Sequence, residues 1–170
     1  MNNSNFRIGI WNSQHVVEKS AATGIARALL ENECHVMARL AGVNAPRIID
    51  VDTSNSTLIM RRAFLPGRTL AETPKVEWPT LLTKLKENVA TSHLAGFIHG
   101  DLKPENLIVN GRNITPVDWE HALQIGRGIA DLPLRAASLG TSDPRLIWAK
   151  GVVSRDLDHY SIDRMFDISH

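Results

Sequence analysis

The residues best equipped for chemistry stand in one short stretch: Asp101, Lys103, Asn106 and Asp118. Two aspartates and an asparagine offer the hard oxygens that Mg²⁺ takes. Phosphoryl transfer asks a protein for little covalent help. It needs a positioned acceptor hydroxyl, metal on the phosphates and a cation for the developing charge. In that chemistry Asp101 orients the hydroxyl as base and Lys103 points back at the transferring phosphate. Asn106 and Asp118 hold the metal. Three polar loop residues capping turns is the blander alternative.

The rest of the chain must bring these groups together. Phe6, Ile8 and Ile10 alternate with Arg7 and Gly9, Asn12-Ser13-Gln14 supplies a turn, and His15 to Lys19 reads as a second strand. Thr23-Gly24 opens a helix of about four turns that ends at Gly42. Arg47 to Val51 and Thr57 to Met60 read as two further strands around a polar turn. Leu65-Pro66-Gly67 breaks the pattern and divides the chain. A second helix carries Trp78, Leu81, Leu82, Leu85 and Val89 on one face and stops at Gly96. Asn110-Gly111 signals a hairpin, and Pro116 either weakens its second strand or places it at an edge. From about Ala130 the chain reads as helical, interrupted by Gly140, Pro144 and Gly151.

A helical wheel singles out one more carboxylate. At about 100° per residue, Leu29, Met37 and Leu40 share a stripe, with Glu33 in its middle and Glu31 on the far side. A carboxylate on an apolar face is costly unless a cation meets it. Lys19, at the end of the preceding strand, is the nearest candidate.

The run from Ser92 to Asn106 resembles the catalytic helix end and catalytic loop of the protein-kinase-like superfamily. Asp118-Trp119-Glu120 follows where the DFG triplet would stand. His99-Gly100-Asp101 is similar to RIO-type kinases and aminoglycoside phosphotransferases. Asp118-Trp119-Glu120, with the later Gly128 to Leu132, looks most like the aminoglycoside and choline branch, whereas Lys103-Pro104-Glu105 resembles a Ser/Thr protein kinase. The resemblance runs over residues 6–135. It implies an α+β, truncated bilobal kinase-like fold in a single domain. Residues 1–64 would form a reduced N-lobe, a small antiparallel sheet plus one helix, and 65–170 a minimal, mainly helical C-lobe. It also implies ATP and Mg²⁺, with Lys19 and Glu33 as the pair that holds the phosphates. Adenine would lie against backbone near Arg61, Arg62 and Ala63, beneath Met60. His99 reads as a structural histidine, and Arg61 and Arg62 as a solvated hinge surface.

Three departures shape the functional expectation. No Gly-rich strand-loop-strand precedes Lys19, since Gly9 is the one glycine before it. Gly100 replaces an arginine that would clamp an activation-loop phosphate, so a phosphorylation-driven loop switch is not expected. Only 39 residues follow Asp131, too few for a full helical substrate platform. The leading expectation is a minimal atypical Ser/Thr-type kinase acting on a protein, with its own chain among the candidate acceptors. The alternatives are a small-molecule phosphotransferase and a pseudokinase that binds without transfer.

Composition sets the outer limits. The chain has 170 residues, 43% hydrophobic and 22% charged, with net charge +1. That suits a self-sufficient core and argues against disorder and a basic nucleic-acid surface. The single cysteine, Cys34, excludes an intrachain disulfide and reads as an inert buried thiol. No apolar run approaches the roughly 20 residues of a membrane span. The expected partners are a protein substrate or regulator, including one that completes the reduced N-lobe, with neither nucleic acid nor membrane. The expected location is the cytoplasm, or export without a classical signal.

Overall fold

The computed structural model describes residues 5–40, 42–132, 138 and 140–167. It is a two-lobed α+β arrangement. The first lobe holds β1 (Asn5–Trp11), β2 (Gln14–Ala21), α1 (Gly24–Leu40), β3 (Ile48–Asp52) and β4 (Leu58–Ala63). Its sheet has the order β1-β2-β4-β3, with every neighbouring pair antiparallel. Asn12 and Ser13 both take positive φ between β1 and β2, the two-residue turn whose twist matches a hairpin. Helix α1 packs Ala26, Leu30, Val36, Met37 and Leu40 on Leu58 and Met60 of the sheet, and Trp119 enters the same core from the other lobe.

The second lobe opens with β5 (Arg68–Thr69) and α2 (Trp78–Leu94). Pro79 stands in the first turn of α2, where its missing N–H costs nothing. At the far end Gly96, at φ 91°, donates to the carbonyl of His93 and closes the helix. Next come β6 (Phe97–Ile98), β7 (Leu107–Asn110), β8 (Asn113–Pro116) and β9 (Leu123–Gln124). Strand β7 lies between β5 and β8, so Pro116 is on an edge strand as its missing N–H requires. A short α3 (Pro144–Ile147) and α4 (Asp156–Met165) end the described chain. Leu81, Leu85 and Val89 of α2 pack with Leu107, Val109, Ile114, Ile162 and Met165.

The helical expectation beyond Ala130 holds only for Pro144–Ile147 and Asp156–Met165. Its parts at 133–137, 139 and 168–170 lie outside the described residues. Between the two helices, backbone bonds from Gly126 and Ile129 to Val153 and Gly151 tie the chain into loops. Among the described residues no helix is long and apolar enough to cross a membrane.

The register places two charged rows on opposite faces of the four-stranded sheet. Cross-strand partners point the same way, so Arg7, Glu18, Arg61 and Asp50 form one row over all four strands. Lys19, Met60 and Arg62 belong to the other face, with Phe6, Ile8 and Ile10 of the edge strand β1 beside them. That face carries α1 and looks toward the catalytic loop.

Candidate active site

Helix α1 and strand β2 bring Glu33 to Lys19, as the wheel requires: Nζ to Oε2 is 2.6 Å, and Glu33 is 0% exposed. Glu31 is on the outside, paired with Arg27 at 2.9 Å. The Lys19 ammonium also donates to Asp118 and lies 3.9 Å from Glu120. Burial works against this ammonium, but the charges of Glu33 and Asp118 and the hydrogen bonds to both outweigh it and hold its pKa above the usual lysine value. Burial likewise works against the Asp118 carboxylate, and Lys19 reverses that, holding its pKa below the ordinary aspartate value. Glu120 meets the same ammonium only at 3.9 Å, where its pull is too weak to offset the rest. Burial, then the charge of Asp118, pushes its pKa up to about 7.

The catalytic loop is assembled on one carboxylate that sequence inspection missed. Asp158, on α4 and 1% exposed, accepts from His93 Nε2 at 2.9 Å, from the His99 backbone N–H at 2.8 Å and from Gly100 N–H at 3.1 Å. The signal was present, because Leu157, Ser161, Ile162 and Met165 make the buried face on which Asp158 sits. The wheel that selects Glu33 selects Asp158 once the helix limits are known. Gly100 has φ 78°, and a Cβ there would run into the carbonyl oxygen of His121. No arginine fits at that position. His99 donates through Nε2 to Val117 O at 2.9 Å and accepts the Asp101 N–H at 3.3 Å, so both ring nitrogens serve the backbone.

Asp101 is 4% exposed. Its Oδ2 accepts from Lys103 Nζ at 2.6 Å and Asn106 Nδ2 at 3.2 Å, and its Oδ1 accepts the Ser138 hydroxyl at 2.5 Å. Asn106 Nδ2 also donates to the Asp101 carbonyl at 3.0 Å. This fixes the amide orientation and leaves the Asn106 carbonyl oxygen for a cation. Asp118 has left-handed φ 68° and ψ 60°, a conformation aspartate tolerates better than most residues. Behind it the Trp119 ring lies 4.6 Å from His99, and its indole N–H goes to Pro116 O at 3.2 Å. The Asn32 amide bonds Glu120 O at 2.9 Å and Ala122 O at 3.0 Å, which pins α1 against this segment.

Not every expected site residue comes to the cleft. Arg61 turns to the opposite face, where it meets Glu18 at 2.8 Å and Asp50 at 2.6 Å under the ring of Trp11. Neither arginine is a solvated hinge residue, since both are buried. Adjacent residues of a strand point to opposite faces, so only Arg62 joins Met60 on the cleft side. Arg62 is 5% exposed, and its Nε has no hydrogen-bond partner. Burial lowers its pKa against the pull of Glu33 and Asp118. The backbone at Arg61 to Ala63 is held in the ladder: β4 is central, and the Ala63 N–H goes to Arg47 O at 2.8 Å. Phe64 N–H goes to His15 O at 3.2 Å.

The carboxylates suit a divalent cation. Glu33, Asp118 and Glu120 each bring an oxygen within 4.8 Å of the others, and the buried Glu33 Oε1 has no hydrogen-bond partner. Three carboxyl groups this close are a hard-donor set that could coordinate an ion such as Mg²⁺.

Comparison with known proteins agrees with this geometry. Residues 9–131 match the RIO domain family. A probable bifunctional tRNA threonylcarbamoyladenosine biosynthesis protein of Thermoplasma acidophilum is 34% identical over 83 residues, covering 48% of this chain and 15% of that protein. The KEOPS complex subunit Bud32 of Pyrococcus abyssi is 29% identical over 86 residues, 48% of this chain and 38% of the relative. A probable serine/threonine-protein kinase BUD32 homolog of Archaeoglobus fulgidus is 30% identical over 95 residues, 56% of this chain and 45% of the relative. The chain therefore spans less than half the length of each of these relatives. From the family match and the kinase-like catalytic loop together, the chain belongs to the RIO-domain family of atypical protein-kinase-like proteins.

Proposed function

We propose that this chain is a minimal atypical Ser/Thr-type kinase that transfers the γ-phosphate of ATP to a protein hydroxyl. One observation carries the reading: the Asp101 carboxylate is fixed on one oxygen by Lys103 and Asn106, while its other oxygen already accepts a serine hydroxyl. A carboxylate so placed can orient an acceptor and take its proton. Lys103 lies beside that oxygen pair, ready to meet charge on the transferring group. Lys19 would hold the nucleotide phosphates, with Glu33 keeping its ammonium in place. The ceiling over the base would be the exposed apolar row Phe6, Ile8 and Ile10. Asn106 and Asp118 would hold Mg²⁺, which supplies charge neutralisation on the phosphates when bound. The named kinase relatives support a protein acceptor. The uncovered edge strand β1 supports a partner that completes the small lobe.

The decisive measurement is transfer from labelled ATP with Mg²⁺ to generic protein acceptors, beside Asp101→Asn. The variant is expected to keep nucleotide binding and lose about 10²-fold or more in rate, the usual contribution of a positioned base. Equal rates would remove Asp101 from the chemistry.

A second reading, a pseudokinase, rests on Lys19. Its ammonium sits on Asp118 as well as Glu33, so a metal–nucleotide pair must compete with a contact already made. A thermal-shift titration beside the labelled-ATP assay separates the two readings. A kinase shows a shift with ATP that grows with Mg²⁺, as linkage requires, together with transfer of label, whereas a pseudokinase transfers none whether or not ATP shifts it.

A further inference from the structure

We propose that Ser138 is an internal acceptor, phosphorylated by its own chain. The inference rests on the kinase reading above and deepens it by naming an acceptor. Ser138 stands 37 residues from Asp101 in sequence, yet its hydroxyl donates to Asp101 Oδ1 at 2.5 Å. That oxygen is the one Lys103 and Asn106 leave open. An incoming serine or threonine would have to place its hydroxyl at the same oxygen, so Ser138 occupies the acceptor's seat.

The contact is backed by bonds from Ser138 to Thr141 and Ser142. The Ser138 N–H donates to Ser142 Oγ at 2.9 Å, and its carbonyl accepts from Thr141 N–H at 3.3 Å and Ser142 N–H at 3.0 Å. Ser142 leads into Asp143, which caps α3 through Arg145 N–H at 2.8 Å. Arg145 then binds Asp143 at 2.9 Å and Asp156 at 2.6 Å, anchoring this segment to the first residue of α4. Helix α4 also carries Asp158, which holds the catalytic loop. Ser138 and Asp101 are thus positioned by the same helix. The neighbouring hydroxyls differ: Ser142 Oγ is bonded to the Ser138 backbone, and Thr141 Oγ1 is buried without a hydrogen-bond partner among the described residues.

In the proposed step, Ser138 Oγ forms a bond to the γ-phosphorus of a nucleoside triphosphate. The bond from that phosphorus to the β–γ bridging oxygen breaks, and the nucleoside diphosphate leaves with the electron pair. The serine proton passes to Asp101 and from there to solvent. The product cannot rebuild the starting contact, because the hydroxyl proton is gone and a phosphate anion faces a carboxylate. Each chain is therefore modified once.

The test uses the full chain with Mg²⁺ and γ-labelled ATP, with no other protein present, at several protein concentrations. After digestion, mass spectrometry assigns the phosphate among Ser138, Thr141 and Ser142. The expected result is label on Ser138, with a first-order rate independent of protein concentration. Ser138→Ala and Asp101→Asn should abolish it, and Ser138→Thr should restore it as phosphothreonine. A thermal-shift titration with ATP is run on the same variants and should give the wild-type shift in each. Label on Thr141 or Ser142, or a rate that rises with protein concentration, would overturn the proposal. Transfer to an added protein with Ser138 unlabelled would overturn it alone and leave the kinase reading standing. No ATP shift and no transfer to any acceptor would overturn both.

Discussion

The two faces of the four-stranded sheet use the same residue types toward opposite ends. On the outer face Arg7, Glu18, Arg61 and Asp50 alternate in sign, with contacts of 2.7, 2.8 and 2.6 Å from one strand to the next. Each charge has a neighbour of opposite sign, and Trp11 covers Arg61. On the cleft face Lys19, Arg62, Glu33, Asp118 and Glu120 crowd together, and the accounts do not close. One oxygen of Glu33 and the Nε of Arg62 are buried without hydrogen bonds. Burial of charge is tolerated where it is paired and bonded. The outer row pairs every charge and fixes strand register; even its buried Arg61 Nε, which makes no hydrogen bond, lies 2.8 Å from a Glu18 carboxylate oxygen. The inner row violates that rule, as expected of a site whose remaining partners arrive with a ligand.

The largest test of this contrast is Lys19→Met. It leaves Glu33 and Asp118 facing each other without their shared cation. Removing one partner of a buried pair costs about 3–5 kcal/mol, and urea denaturation should show a loss of that order together with loss of the ATP shift. A stable variant that still binds ATP would mean Lys19 is not the hub of the cluster.

Glu18→Gln breaks the outer row at its centre, between Arg7 and Arg61. Glu18 holds Arg7 and Arg61 as ion pairs, Arg7 is largely exposed, and Asp50 still meets Arg61 in the variant, so the loss should be about 1 kcal/mol. Because the row faces away from the cleft, nucleotide affinity should not change. A fall in affinity as large as the fall in stability would show that the two faces are coupled through β2 and that the division drawn here is false.

Arg62→Met separates the faces by sign. Arg62 is a buried guanidinium whose surroundings disfavour its charge, with burial as the main cause. Replacing such a group with an apolar side chain of similar length is commonly neutral or stabilising. Thermal denaturation should therefore show no loss, against a clear loss for Arg61→Met on the outer face. The two arginines are adjacent in sequence, so opposite outcomes would come from the sheet alone.

These arginines also mark how far the sequence could be read. Two neighbouring arginines at a strand end look alike on paper, and only the register assigns one to each face. Glu33 was legible because α1 has clear limits and its carboxylate interrupts an apolar stripe. Asp158 follows the same rule, but its helix comes after breaks at Gly140, Pro144 and Gly151 that hide its limits. The catalytic loop and Asp118 were legible from types and spacing within one short run. Ser138 was not, because its contact with Asp101 is set by its bonds to Thr141 and Ser142 and their anchor to α4, which no local pattern announces. The hairpins carried their own turn residues and were the easiest part of the fold.

Cys34 gives the smallest and most local reading of the contrast. It follows Glu33 on α1, and its thiol is pushed up to about 11, by burial first and then by the charges of Glu33 and Glu31, while Lys19 pulls the other way. The free thiol value is about 8.5, so alkylation by iodoacetamide should be slow at neutral pH and should rise steeply only in strong alkali. The sign for stability follows. A raised folded value favours the neutral thiol in the native state, so this contribution is complete below about 8.5 and is lost as pH rises through about 11. Glu33→Gln removes a repelling charge and leaves Lys19 in place. The alkylation midpoint should move down but stay above the free value, because burial is the largest cause. Glu18→Gln, on the other face, should leave the midpoint where it is. A shift in both variants, or in neither, would mean that the thiol senses general loosening of the lobe and not the uncompensated field of the cleft.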